Sequence, residues 1–210
     1  MSEIYTRQLD IIKQDELNFP IHVIGAGGIG SWTALLLAKM GCPDIHLYDD
    51  DVVEEHNVAS QFFKADQLNL PKVNSAHHNI LEQTGIEIKP KNNIDEETIT
   101  EGLIIITIDS MAERIRLANI YKDKNLYIID GRMGGLQLEI YCCPTATYVA
   151  TLVNPEDVSH EPCTARSICF NCAVIGGLIT NFVRQYAKKN LINQELIFDF
   201  NNLSLLKSNL

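Results

Sequence analysis

Three glycines, Gly25, Gly27 and Gly30, follow a short apolar run in a Gly-x-Gly-x-x-Gly pattern, and the next ten residues have the composition of a helix. In such a strand–turn–helix unit, glycine allows a tight turn and a close approach of the backbone to a ligand. The N-terminus of the helix then offers free N–H groups to an anion. The turn therefore predicts a nucleotide site, with Gly28 as a further backbone contact.

A carboxylate follows at the distance that suits ribose binding. Asp49 ends the predicted second strand, 19 positions after Gly30 (49 − 30). An acidic residue about 20 positions after such a turn is placed to accept hydrogen bonds from ribose hydroxyls. Asp49 could also be a solvated loop carboxylate in an acidic run, but its spacing from the turn favours ribose binding.

A polar, acidic loop separates Asp49 from the next predicted helix. The loop contains Asn57 and Gln61, and Lys72 opens the helix directly after Pro71. A lysine at a helix start is electrostatically unfavourable unless an anion lies nearby, so Lys72 indicates a phosphate-rich ligand. The alternatives are that Lys72 faces solvent and that Asn57 is only a turn or cap residue.

A third acidic position follows a continuous apolar run. Residues 103–108 predict a strand buried on both faces, which ends at Asp109. Ligands of open α/β sheets bind at the carboxyl ends of the strands, and a carboxylate there can hold Mg²⁺ that bridges phosphate oxygens. Asp109 could equally cap the predicted helix over 111–121, and the two roles are compatible.

The order of elements predicts one α/β domain over residues 1–210, with a Rossmann-like, mostly parallel sheet, helices on both faces and antiparallel strands near the C-terminus. An amphipathic helix occupies 3–18, and residues 21–135 form a nucleotide-binding half. Within 136–210 we expect antiparallel strands over 137–142 and 147–153 joined by a turn at Pro144, a helix over 172–189, and a final strand or hairpin over 197–206.

The composition narrows the classes of partner. The 210 residues carry a net charge of −10, which disfavours nucleic acid as a partner. No apolar run reaches membrane-spanning length and no signal peptide is visible. We therefore expect a cytoplasmic protein without a membrane partner, whose six cysteines are reduced thiols or metal ligands.

Taken together, these residues resemble the ThiF/MoeB/HesA family, bacterial relatives of ubiquitin-activating enzymes. The resemblance extends from Tyr5 to about Lys189 and rests on an ordered set of motifs: Tyr5-Thr-Arg7-Gln8, Gly25-x-Gly27-x-x-Gly30, Asp49-x-Asp51, Asn57-x-x-x-Gln61, Pro71-Lys72-Val and Asp109-(x)4-Arg114. It implies ATP-dependent adenylation of the C-terminal carboxylate of a ubiquitin-like protein or a peptide, usually ending in glycine. An acyl-adenylate and pyrophosphate would be the products.

The resemblance also implies roles for single residues. The glycines would cradle the phosphates, Asp49 would hold the ribose, and Arg7 would reach into the partner subunit's site of a homodimer. The other implied positions are phosphate contacts at Asn57 and Lys72, Mg²⁺ at Asp109, and further nucleotide contacts at Asp51 and Gln61. The chemistry agrees, because an ionised carboxylate needs no general base but does need alignment and cations near the phosphates.

One position departs from the family pattern. Ser60 stands where the family has an arginine that contacts the triphosphate, and serine cannot replace a bidentate cation. Lys64 or Arg132 could take its place in space. The change affects expected turnover more than expected ATP binding.

Cysteine usage is the second departure. Many members hold zinc with two Cys-x-x-Cys pairs, whereas this chain has one, Cys169-x-x-Cys172. With His160 and Cys163 the pair could form a His-Cys₃ zinc site, but packing at the start of a buried helix is the favoured interpretation. Cys163 is either a reactive thiol, with Arg166 favouring its thiolate, or an ordinary loop cysteine.

Three other functions fit part of the pattern. An NAD-dependent oxidoreductase explains the glycine turn and Asp49 but not Asn57 and Lys72. A catalytically weakened adaptor of the same fold is consistent with Ser60. A tRNA-modifying adenylation is disfavoured by the acidic composition. The leading prediction is a compact adenylating module, with any sulfur donor or conjugating partner on a separate protein.

Overall fold

A computed structural model describes residues 3–94, 99–154, 156, 167–191 and 193–210. Five α-helices and eight strands are placed in the described parts of the chain. In chain order they are β1 Ile21–Ile24, α1 Gly28–Met40, β2 Ile45–Tyr48, α2 Lys72–Thr84, β3 Lys89–Lys91, β4 Leu103–Ile106, α3 Met111–Tyr121, β5 Tyr127–Gly134, β6 Gln137–Pro144, α4 Thr145–Tyr148, α5 Cys169–Ala187, β7 Gln194–Asp199 and β8 Ser204–Asn209.

The eight strands form one sheet in the order β3-β2-β1-β4-β5-β6-β7-β8. The neighbours from β3 to β5 pair in parallel, and those from β5 to β8 pair antiparallel. The central strands β1 and β4 are buried at every position, as their continuous apolar sequences require. The predicted fold class, a Rossmann-like sheet extended by antiparallel strands, is confirmed.

Helices cover both faces of this sheet because alternate strand residues point to opposite sides. Val23 and Ile105 pack with buried residues of α1, α2 and α5 in the larger core. Ile24 and Ile104 pack with α3 and α4 in the smaller one. The nucleotide turn between β1 and α1 is thereby fixed at the carboxyl edge of the sheet. The division into two halves at residue 135 stays a prediction.

The N-terminal amphipathic helix predicted over 3–18 is wrong. Two 3-10 helices, Glu3–Gln8 and Gln14–Leu17, occupy the segment. The second 3-10 helix has its own N-cap at Lys13, whose backbone N–H donates to the Glu16 carboxylate at 2.8 Å, so the two helices are separate. Because an isolated helix of this length gains little by itself, local side-chain contacts decide its form.

The predicted antiparallel partner of β6 over 147–153 is also wrong. That segment forms α4 and a 3-10 helix, Val149–Thr151, while β6 pairs with β5 and β7. The turn between β5 and β6 lies at Gly135, whose φ of +56° suits glycine. Pro144 starts α4 as its N-cap instead of turning the chain. Of the two alternatives predicted for 197–206, the hairpin is observed, but β7 begins three residues earlier (197 − 194) and β8 ends three residues later (209 − 206) than expected. α5 likewise begins three residues earlier than expected (172 − 169).

None of the helices in the described ranges is long and apolar enough to cross a membrane.

Candidate nucleotide site

The glycine turn is shaped by two close approaches and one open position. Gly25 has a φ of +98°, and a Cβ built there would lie 3.0 Å from the carbonyl carbon of Thr107. A Cβ on Gly30 would overlap the carbonyl oxygen of Gly25, whereas one on Gly27 would meet nothing within 4 Å. Packing therefore requires glycine at the first and third positions, and at Gly27 a Cβ would only project into open space.

The N-terminus of α1 lies beside the N-terminus of α5. A Cβ on Gly28 would lie 3.0 Å from the Cys172 sulfur, and one turn further along, a Cβ on Gly176 would lie 3.2 Å from the Thr33 nitrogen. The two helices therefore run in the same direction from the glycine turn. Burial raises the pKa of Cys172 to about 11, with nearby Cys169 adding to the rise, so this thiol stays protonated at neutral pH.

Asp49 is held against the turn by backbone N–H groups. Its Oδ2 accepts from the Ala26 N–H at 2.6 Å and its Oδ1 from the Asp51 N–H at 2.9 Å. Because Ala26 lies between Gly25 and Gly27, these contacts bring the carboxylate and the glycine turn together at the edge of β1 and β2. This is the juxtaposition that their sequence spacing predicts.

Lys72 points inward from the first position of α2. It is only 7% exposed, so it does not face solvent. Its Nζ lies 2.7 Å from Asp51 Oδ2 and 4.0 Å from Asp49 Oδ1. The two carboxylates are the anions that offset an unfavourable charge at a helix N-terminus. The structure thus gathers Asp49, Asp51 and Lys72 beside the glycine turn.

The polar loop that contains Asn57 and Gln61 packs against α1. Asn57 is buried, and its Oδ1 accepts from the Glu54 N–H at 2.9 Å, so it does cap a turn. Gln61 has a buried Oε1 for which the described residues supply no hydrogen-bond partner. Ser60 is buried and lies against α1, where its carbonyl accepts from Trp32 Nε1 at 2.9 Å.

Both residues considered as replacements for the missing arginine are engaged in ion pairs in this structure. Lys64 Nζ pairs with Glu82 at 2.5 Å. Arg132 Nε pairs with Asp130 at 2.7 Å, and its other nitrogens donate to the carbonyl and hydroxyl of Thr151. Within the described ranges, the cation that the structure places at the glycine turn is Lys72.

The strand predicted over 103–108 ends earlier, at Ile106, so Asp109 lies exposed three residues beyond the carboxyl end of β4 (109 − 106), which pairs with β1. Asp109 does not cap α3, because the N-cap is Ser110, whose Oγ accepts from the Glu113 N–H at 3.2 Å. Arg114 Nη1 donates to the Asp109 carbonyl at 3.5 Å. The backbone of Asp109 is therefore tied to α3 while its side chain stands at the solvent edge of the sheet.

Sequence reasoning missed a buried cluster behind Asp109. Asp130 is wholly buried and accepts hydrogen bonds from Arg114, Arg132 and Tyr148. Its position, a carboxylate at the end of the apolar run 126–130, is a signal that could have identified it, because a buried carboxylate requires cationic partners.

Arg7 lies far from the glycine turn of its own chain. It is exposed in the 3-10 helix Glu3–Gln8, and the adjacent Gln8 donates from Nε2 to the Met40 carbonyl at 2.6 Å. Met40 ends the 13-residue α1, so about 20 Å of helix separates this segment from Gly28. The structure does not bring Arg7 to the nucleotide turn of the same protomer.

The suggested zinc ligands are only partly described. His160 and Cys163, together with Arg166, lie outside the described residues, so the reactive-thiol and zinc predictions are not tested. Cys169 is exposed and Cys172 is buried in the first turn of α5. In the part of the chain that the structure describes, the group of three close ligand atoms is Asp49, Asp50 and Asp51, not a cysteine set.

Comparisons with known proteins find relatives that match about two thirds or more of this chain. Ubiquitin-like modifier-activating enzyme 5 of Gallus gallus is 24% identical over 213 residues, covering 86% of this chain and 54% of its own length. Ubiquitin-activating enzyme E1 1 of Candida albicans is 26% identical over 145 residues, covering 66% of this chain and 14% of its own. The chain thus spans about half the length, or less, of these curated relatives.

Solved structures give the same result for the fold. Escherichia coli MccB crystallised with ATP superposes with a TM-score of 0.80 at 17% identity, covering 100% of this chain and 72% of MccB. PaaA superposes with a TM-score of 0.77 at 19% identity, covering 99% of this chain and 72% of PaaA. The ThiF family pattern matches residues 5–209, and this chain belongs to the ThiF family.

Proposed function

We propose that this protein uses ATP to adenylate the C-terminal carboxylate of a small ubiquitin-like protein or a peptide that ends in glycine. The observation that carries the proposal is a buried cation, Lys72, held beside the glycine turn and Asp49. A dinucleotide site needs the turn and the carboxylate but not this lysine. Relatives named as ubiquitin-like modifier-activating enzymes, and MccB solved with ATP, support the same class of reaction.

The donor set fits a nucleotide triphosphate. Gly27 leaves open space at the N-terminus of α1, where backbone N–H groups would bind phosphate oxygens. Asp49 would accept from the ribose hydroxyls while the Ala26 N–H holds it in place. Asn57 and Gln61 would contribute polar contacts at the phosphates, and Lys72 would exchange part of its pairing with Asp51 for phosphate charge.

Mg²⁺ bound by Asp109, when present, would supply positive charge to the triphosphate. The reaction itself needs little from the protein beyond placement. The acceptor carboxylate is ionised at neutral pH, so it attacks the α-phosphorus without a base, and the bond to pyrophosphate breaks. Lys72 and the α1 N-terminus stabilise charge on the phosphates, and the fixed turn holds them in line for attack.

We also propose a homodimer in which Arg7 serves the partner subunit's site. Its position about 20 Å along α1 from the glycine turn leaves it unable to serve its own chain's site. Such an arrangement would add the second cation that Ser60 does not provide.

Measurement of ATP–pyrophosphate exchange tests the activity. Exchange should depend on an acceptor protein or peptide ending in glycine and should fall at least 100-fold in Asp109→Ala. Asp123→Ala, an exposed aspartate beyond the far end of α3, is the matched control and should keep full exchange. Exchange that Asp109→Ala leaves intact would contradict the site assignment, and selective stabilisation by NAD but not ATP would contradict the activity.

A weakened adaptor is the second candidate. The observation that favours it is that Ser60 stands where the family has an arginine, while Lys64 and Arg132 are both engaged in ion pairs in this structure. An adaptor of this kind would bind the acceptor protein without release of AMP or pyrophosphate, which the same exchange assay distinguishes.

A further inference from the structure

The buried carboxylate of Asp130 is the hub of four separate parts of the fold. Its Oδ1 accepts from Arg114 Nε at 3.1 Å, and its Oδ2 accepts from Arg132 Nε at 2.7 Å and from the Tyr148 hydroxyl at 2.9 Å. Asp130 lies on β5, Arg114 on α3 and Tyr148 on α4, and Arg132 reaches Thr151 at the end of the following 3-10 helix. One side chain therefore links β5, α3, α4 and the 3-10 helix.

Arg114 connects Asp130 to Asp109, the residue proposed to bind the metal. Apart from Asp130, its guanidinium donates to the Gly131 carbonyl at 3.2 Å and to the Asp109 carbonyl at 3.5 Å. The side chain of Arg114 is 6% exposed, so these contacts hold it in one place. The backbone of Asp109 is thus tied to β5 through Arg114 and Asp130.

The charge of the cluster is unbalanced. Among the described residues, two guanidinium groups face one carboxylate, which leaves one positive charge in excess. Burial opposes the charge on Arg132, but the charge and hydrogen bond of Asp130, together with Tyr148 and Tyr141, raise the pKa of the guanidinium above its ordinary value. If Asp130 lost its charge, both guanidiniums would be buried without an anion, and Arg114 would lose its anchor.

We propose that Asp130 is a positioning residue of the adenylation reaction: by fixing Arg114, it holds the Asp109 turn where the Asp109 carboxylate meets the metal of a bound nucleotide. This inference rests on the proposed function. Groups that orient a metal ligand without touching the metal typically change metal affinity by about 10- to 100-fold when removed. Asp130 would orient the metal ligand Asp109 in this way, but indirectly, through Arg114.

Nucleotide affinity measured with and without Mg²⁺ tests the proposal, with full-length protein whose folding is checked by circular dichroism. In the wild type, Mg²⁺ should tighten ATP binding. In Asp130→Asn the gain from Mg²⁺ should fall about 10-fold or more, while ATP affinity without Mg²⁺ should change less than about 2-fold. A purely structural role would weaken both measurements together.

Two further variants complete the design. In Asp109→Ala/Asp130→Asn the Mg²⁺ gain should be no lower than in Asp109→Ala alone, because both changes remove the same contact. Asp44→Asn, which breaks the ion pair with Lys89 at the other edge of the sheet, should keep the full gain. If Asp130→Asn does not fold, Arg114→Lys is measured in the same way, since lysine cannot make the three guanidinium contacts.

The outcomes separate the two levels of inference. A full Mg²⁺ gain in Asp130→Asn or Arg114→Lys overturns the positioning role and leaves the proposed function intact. A wild-type protein whose ATP binding does not respond to Mg²⁺ overturns the metal role of Asp109, and the positioning role with it.

Discussion

Alanine at two glycines of the same turn should separate ligand access from packing. Gly27→Ala places its methyl group in open space, and the φ of −76° there is outside the left-handed region that favours glycine. Gly30→Ala would force a methyl group into the Gly25 carbonyl and the Thr107 hydroxyl. We expect the first variant to lose nucleotide binding and the second to lose stability.

The size of each effect can be worked out. Overpacking of a tight site costs about 1–3 kcal/mol, and each kcal/mol lowers Tm by about 2–4 °C in a chain of this size. Gly30→Ala should therefore melt about 2–12 °C lower. In Gly27→Ala the smaller conformational entropy of the unfolded chain and the poorer N-cap nearly offset each other, so its Tm should move by less than about 3 °C.

The binding effect appears as lost stabilisation by ATP. At an ATP concentration 100 times the wild-type Kd, binding adds about 2.7 kcal/mol to the free energy of unfolding. If the methyl group on Gly27 raises Kd tenfold, the same concentration adds about 1.4 kcal/mol. Thermal melts of the wild type and both variants, with and without ATP and Mg²⁺, measure these differences.

Two results would contradict these expectations. Full ATP stabilisation of Gly27→Ala would refute the claim that phosphates approach the backbone at this position. Equal loss of stability in the two variants would refute the distinction between an open and a packed glycine.

Three further changes have expected outcomes. Lys72→Ala should weaken ATP binding about 10-fold or more by titration calorimetry, because it removes a buried cation, whereas Lys72→Arg should retain most of the affinity. Exchange should recover when Asp109→Ala and Arg7→Ala subunits are mixed, up to about a quarter of the wild-type rate. Half of the randomly mixed dimers contain one subunit of each kind, and each of these has one intact site out of two. No recovery would contradict a role of Arg7 in the partner subunit's site. Burial lowers the pKa of His22 to about 4, whereas an unfolded histidine titrates near 6.5. Because the unfolded chain then binds the extra proton, the free energy of unfolding should fall by about 2–3 kcal/mol from pH 6.5 to pH 4, and His22→Gln should weaken this dependence.

The sequence patterns located the parallel half of the fold and its functional edge. A continuous apolar run such as 103–108 is stable mainly as a central strand of a sheet. Such runs therefore identify the strands along the chain and place the glycine turn directly after the first of them. The adjacency of Asp49 to the turn follows as well, because it depends on spacing within one β–α–β unit. Buried strands, and contacts between residues of one β–α–β unit, can therefore be predicted from the sequence.

The contacts that tertiary packing creates were not readable in the same way. Residues 147–153 have strand-like alternation, but β6 already has neighbours on both edges, so the segment forms helix instead. The N-cap of α3 is Ser110 and not Asp109. Sequence spacing cannot locate the start of a helix to within one residue, so it could not distinguish the two. The pairing of Asp130 with Arg114 joins positions on different elements and emerges only in three dimensions.

The parallel alignment of α1 and α5 has an energetic consequence. Gly28 and Cys172 bring the two N-termini into contact, so two positive dipole ends lie side by side. Like poles repel, so an anion bound between the two helix N-termini would reduce their repulsion as well as meet their N–H groups. Under the proposed function, triphosphate and free pyrophosphate would both have this effect, and we expect pyrophosphate to compete with the nucleotide.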